Sequence, residues 1–188
     1  MLHSSSPEVD AFGSRDADFP HLVQTEADIT ETPMLIDLTD QIGDLQFTST
    51  LPEEVRQALA GIASQRTIAS GQFLCREGES CSELFLIASG HVGLDMFVPG
   101  RGQVRVMTLG PGDVLAWSAL VGNQGATATG VALEETEVIA FPDDALLQLC
   151  QTNHDVGYPL MRELAKAISH RLVASRLQLL DLFYEGSH

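Results

Sequence analysis

Between residues 51 and 184 the spacing of apolar positions changes character twice. In "LPEEVRQALAGIA" the residues Val55, Leu59 and Ile62 recur at helical spacing. Pro52 stands at a first helical position, with Glu53 and Glu54 in the first turn where the helix dipole favours acids. This predicts a short amphipathic helix. From about residue 64 to 142 the apolar residues come in brief runs broken by glycine, as in "RTIASGQFLC", "ELFLIASGHVGLDMFV", "RVMTLGPGDVLAW" and "ATATGVALEETEVIAF". Strands about five residues long joined by tight turns predict a small β-sandwich or barrel. The period then returns to helical, from about 142 to 184. "PDDALLQLCQTN" predicts one helix, and the segment from Tyr158 to Tyr184 predicts a long second one. In the second, Leu160, Leu164, Ile168 and Leu172 recur every fourth residue while Val173, Leu177 and Leu180 widen the stripe. A helix apolar on two faces calls for two partners. Two arrangements stay open: pairing with a twin in a homodimer, or lying alone on its own barrel. The fold class is thus mainly β with flanking helices, in a domain spanning 46–184.

Charge changes the picture at the N-terminus. The chain carries a net −16, and residues 1 to 50 hold ten acids against the single base Arg15. An acidic segment poor in periodic apolar residues reads as a flexible tail, here residues 1–45. Only "PMLIDLTDQI", with Met34, Leu35, Ile36 and Leu38, has the apolar surface to dock on something. With 10 Lys and Arg against 26 Asp and Glu, the chain lacks the basic surface that direct nucleic-acid binding needs. No run approaches the roughly twenty apolar residues of a membrane span, and the N-terminus has no basic flank leading into an apolar stretch. No membrane association and a cytoplasmic location are expected.

Candidate chemistry is sparse. Cys75, Cys81 and Cys150 are too few for a disulfide framework, and "REGES" between the first two is not the spacing of a structural zinc pair. They read as small part-buried side chains, reduced in a cytosolic chain. The six histidines share no ligand spacing, so no metal or other cofactor is expected. His170, next to Arg171, reads as lying on a solvated helix face. "WSAL" makes no nucleophile elbow and no acid pair sits in a glycine-rich pocket, which argues against an enzyme.

The glycines carry more information. Gly71 and Gly78 are separated by six residues, Gly90 breaks "LFLIASGHVGL", and Gly110 and Gly112 bracket Pro111 in "LGPGDVLAWSAL". Together these segments resemble the cyclic nucleotide-binding domain, the jelly-roll effector module of Crp/Fnr regulators, protein kinase A regulatory subunits and cyclic-nucleotide-gated channels. The resemblance covers about residues 51–184. It implies a jelly-roll β-barrel with a long C-terminal helix that, in the Crp/Fnr branch, pairs with its twin. With the sequence ending soon after Tyr184, a helix-turn-helix domain is not expected, and the chain reads as a stand-alone module.

The resemblance also implies where a ligand would sit. In members that bind a cyclic nucleotide the phosphate cassette resembles G-E-x-[AL]-L followed by P-R-x-A. Backbone N–H groups of a short helix meet the phosphate, the Arg pairs with it, and the Glu accepts a ribose hydroxyl. Here Gly112 and Asp113 open the segment, with Asp113 read as a turn residue. Trp117 stands at the Glu position, Ser118, Ala119 and Leu120 continue the short helix, and Ala126 stands at the Arg position ahead of Thr127. No Lys or Arg occurs between Val106 and Leu160. Losing one partner of a charge-assisted pair costs on the order of 2 to 5 kcal/mol, so a partly buried phosphate would be held weakly. Three functional readings follow. The first is a regulatory module with a degenerate cassette, taking a less anionic ligand or none and acting through its C-terminal helix and an unknown protein partner. The second is a genuine cAMP- or cGMP-binding protein with a non-standard pocket. The third and remotest is an enzyme.

Overall fold

The computed structural model describes residues 38–121 and 125–185. Two helices come first, α1 (Leu38–Asp44) and α2 (Glu53–Ala60). Strands β1 (Ser64–Ile68), β2 (Phe73–Cys75), β3 (Glu83–Ser89), β4 (Val92–Val98), β5 (Gly102–Leu109) and β6 (Val114–Leu115) follow. A single helical turn, α3 (Ser118–Val121), separates β6 from β7 (Thr129–Ala132) and β8 (Thr136–Pro142). The chain then ends in α4 (Asp143–Thr152) and α5 (His154–Glu185).

The strands form two four-stranded antiparallel sheets, one in the order β1-β8-β3-β6 and the other β2-β7-β4-β5. Partners distant in sequence, β3 with β8 and β4 with β7, wrap the chain into a jelly roll. The unbroken apolar runs of β3 and β8 find their explanation here, because the first sheet is covered on both faces. Leu84, Leu86, Ile139 and Phe141 point into a cluster shared with the helices, including Ile42, Val55, Leu59, Leu146, Leu160 and Leu164. The alternate residues Phe85, Ile87, Val138 and Ala140 point between the sheets, against Ile68, Val92, Leu109 and Leu115. Each large apolar side chain so buried contributes roughly 1.5 to 3 kcal/mol. The β4–β5 hairpin extends past the second sheet's partners and is correspondingly exposed, with Met96, Phe97 and Val106 facing outward.

The structure revises several boundaries. Residues 38–45, assigned from composition to the tail, are packed: α1 buries Ile42 completely, and Leu45 joins the same cluster. The rest of that tail, including Met34, Leu35 and Ile36 of the docking candidate, lies outside the described residues. Pro52 is the N-cap of α2, one residue ahead of the helix rather than inside it. Helix α5 starts at His154, four residues before the expected Tyr158, and carries Pro159 within its length. The strands range from two residues in β6 to eight in β5, against about five expected.

Candidate functional site

Residues 115–118, from the end of β6 into α3, form one wall of a small hollow beside α5. Strand β6 ends at Leu115, and the backbone turns sharply at Ala116, whose φ of 62° lies in the left-handed region. That turn delivers Trp117 and Ser118 to the start of α3, where the Leu120 N–H closes on the Trp117 carbonyl at 3.0 Å. The opposite wall comes from Ala126, Thr127 and Ala128. This second wall is sewn to the β2–β3 turn by two backbone bonds. The Gly78 N–H donates to Ala126 O and the Ala126 N–H donates to Glu79 O, each at 2.8 Å. A side chain at Gly125 would stand 2.5 Å from the Gly78 carbonyl oxygen, so the close approach requires glycine there.

Of the residues singled out from the sequence, Trp117, Ser118, Ala126 and Thr127 line this hollow together. The Trp117 indole is half-buried and packs toward the helix-side cluster, and Ala126 is buried. Ala119 falls within α3, where its side chain is not among those described. Gly112 and Asp113 stand apart, lining a neighbouring hollow beneath α5 with Lys166 and His170. Their role there is conformational. Gly112 holds a φ of 86° and its N–H donates to Ile87 O at 2.8 Å, while the Asp113 carboxylate accepts the Gly110 N–H at 2.9 Å and closes the turn. Gly110 itself does not use the left-handed region. Thr129 is engaged as well, its hydroxyl accepting the Glu77 N–H at 3.1 Å.

The hollow contains a cation that the cassette segment lacks. Arg171 of α5 reaches across to line it, and its guanidinium donates to the Val114 carbonyl in β6. Burial holds Arg171 below the usual arginine range, and the nearby Asp113 charge opposes that shift. The rest of the lining is mainly apolar, including Leu94, Leu115 and Ala128 with Trp117, and Cys75 supplies a thiol from β2. The site therefore offers one guanidinium, the hydroxyls of Ser118 and Thr127, and an aromatic face. Reading the cassette alone missed Arg171. The signal lay elsewhere in the sequence, because Arg171 is seven residues past Leu164 and three past Ile168, on the inward face of the same helical stripe.

Residues 65–153 match the sequence profile of the cyclic nucleotide-binding domain. The cyclic AMP receptor protein of Thermus thermophilus is 31% identical over 129 residues, covering 66% of this chain and 59% of that protein. The chain therefore spans less than two thirds of that curated relative's length. Among solved structures, a cyclic nucleotide-binding domain from Methylobacillus flagellatus KT superposes with a TM-score of 0.68 at 19% identity, over 77% of this chain and 82% of that one. The catabolite activator protein of Thermus thermophilus gives a TM-score of 0.58 at 27% identity, over 77% of this chain and 64% of that one. Among the described residues no helix is long and apolar enough to cross a membrane, and no group of three or more metal-ligating side chains is brought together. The jelly roll and the turn from β6 into α3 agree with these likenesses, and residues 65–153 are what this chain shares in sequence with the cyclic nucleotide-binding domain family.

Proposed function

We propose that this chain is a regulatory module whose phosphate cassette has given up its glutamate and arginine, and whose pocket reports to a protein partner through α5. The observation that carries the reading is Arg171. Among the described residues it is the guanidinium lining the hollow, and it belongs to the helix that leaves the domain. Any occupant that competes for Arg171 competes with the Val114 carbonyl, and so changes how α5 is tied to β6. Exposed Leu172, Val173 and Leu177 farther along α5 supply the apolar face for a second copy of the chain. A receptor protein as curated relative supports regulation rather than turnover, and the acidic surface suits a protein acting in the cytoplasm without binding nucleic acid directly.

The same arginine favours a second reading, in which the chain binds cAMP or cGMP with Arg171 replacing the cassette cation. Calorimetry separates the two. On the first reading both nucleotides bind the wild type no tighter than about millimolar, and Trp117→Glu with Ala126→Arg gains roughly tenfold, about 1.4 kcal/mol. Micromolar binding by the wild type that disappears in Arg171→Ala would establish the second reading and overturn the first.

A further inference from the structure

We propose that Cys75 and Cys81 form an oxidisable dithiol beside the pocket, a modification site whose substrate is a hydroperoxide. The inference is independent of what occupies the pocket.

The turn after β2 creates the pair. Gly78 takes a φ of 81°, the Glu79 N–H donates to Arg76 O at 3.1 Å, and the chain doubles back so that Cys81 packs against the inter-sheet cluster containing Cys75. The two side chains stand near enough to shift each other's titration, while the Cys75 S–H donates to Ala128 O at 3.6 Å and the Cys81 S–H to Glu83 O at 3.3 Å. Both cysteines line a surface groove with Phe73, Arg76, Glu79 and Glu83. Cys75 is buried and Cys81 only partly so, and a small oxidant meets Cys81 first. The neighbouring Cys75 side chain is the largest influence on Cys81 and lowers its pKa to about 7. Burial pushes the other way, a backbone hydrogen bond at Glu83 adds to the lowering, and the Glu83 and Asp143 charges oppose it. Arg66 offsets the Glu83 charge through two hydrogen bonds of 2.7 and 2.6 Å. The neighbouring Cys81 thiol and burial push Cys75 up, so it keeps its proton.

The chemistry balances with the peroxide as oxidant. The Cys81 thiolate attacks one peroxide oxygen, the O–O bond breaks, and the other oxygen leaves as water or an alcohol after taking a proton. Cys81 is then a sulfenic acid. The Cys75 sulfur attacks the Cys81 sulfur, the S–O bond breaks, and the departing hydroxide takes the Cys75 proton to leave as water. Two electrons have passed from the two sulfurs to the peroxide, and a disulfide joins residues 75 and 81. Small thiols restore the pair by exchange. The same Cys75 sulfur lines the ligand hollow, 3.6 Å from the Ala128 carbonyl oxygen, so forming the disulfide alters the pocket wall.

The experiment treats the reduced full chain with hydrogen peroxide at neutral pH and follows each thiol by mass spectrometry. Cys150 is the internal reference, since burial raises its pKa. Cys81 is expected to react at least about tenfold faster than Cys150, following its larger thiolate fraction. Trypsin cuts after Arg76, so the disulfide would join two peptides that otherwise separate. Cys75→Ser should stop at a sulfenic acid trapped by a 1,3-diketone, and Cys81→Ser should leave Cys75 reduced at the same dose. Cys81 oxidising no faster than Cys150 in the wild type, or oxidising without linked peptides, overturns the proposal whether or not either variant folds. Neither result bears on the calorimetry, so the two readings fail separately.

Discussion

Ala116 holds a backbone conformation that costs an L-residue roughly 1 to 2 kcal/mol, and it does so nearly buried between Leu115 and Trp117. The glycine at the corresponding place in the resembled cassette would adopt it freely. Ala116→Gly is therefore expected to stabilise the domain by about 0.5 to 1 kcal/mol, after allowing for the greater freedom glycine gains in the unfolded chain. Urea denaturation reads this as a higher midpoint at unchanged slope, and a lower midpoint would refute it. Residue identity made Trp117 and Ala126 legible as pocket positions, because their types conflict with the family pattern at a definite spacing. The strain at Ala116 was not legible, since nothing in the sequence marks an alanine that is held in the left-handed region. Arg171 was hidden for another reason: only the packing of α5 across the jelly roll brings it to β6, and no local pattern around the cassette records that contact.

Among the elements, the strands and long helices were readable because their periodicity is strong. The helix-side and inter-sheet clusters explain why β3 and β8 are apolar without alternation. Helix α1 escaped notice because "LTDQIGD" is short and its two acids continue the acidic composition before it. A single residue, Ile42, anchors it with no exposure at all. Ile42→Ala is expected to cost about 2 to 4 kcal/mol in thermal or urea unfolding, whereas a cost below about 0.5 kcal/mol would mean α1 is not part of the cooperative unit. The onset of α5 was misplaced because Pro159 resembles a helix start, while Val156 fills the core one turn earlier. On the same helix, buried Glu163 accepts two hydrogen bonds from Lys166, at 2.8 and 3.0 Å. The Lys166 bond, with further help from Thr50 and Arg162, holds its carboxyl below the ordinary value of 4.5. The folded state therefore binds the proton less readily than the unfolded chain. The stability this gives is fully present above that ordinary value and is lost as pH falls below it. Glu163→Gln should be less stable than wild type at neutral pH, and the gap should close in acid. A gap independent of pH would assign the effect to packing instead.

For the whole molecule, charge and apolar surface act in opposite directions. Leu172, Val173 and Leu177 are each about half exposed along α5, at 51%, 51% and 57%, while the net charge is −16. A second copy covering that stripe would bury apolar area against like-charge repulsion that salt screens. Sedimentation of the wild type should therefore show a dimer that strengthens as salt rises, and Leu177→Glu should give monomers. A wild type that stays monomeric at micromolar concentration in high salt would refute the pairing. The tie between Arg171 and Val114 also has a mechanical consequence. Leu160 and Leu164 are clamped in the core, while Leu172, Val173 and Leu177 are exposed. If Arg171 is the fulcrum of the proposed signal, α5 runs a further 14 residues from it to Glu185, about 21 Å at 1.5 Å per residue. A tilt of only about 10° at the fulcrum would sweep the tip through about 4 Å, by the same helix geometry. A hollow too small to accommodate large rearrangements can thus govern a large displacement, provided that what enters it loosens one guanidinium from one carbonyl.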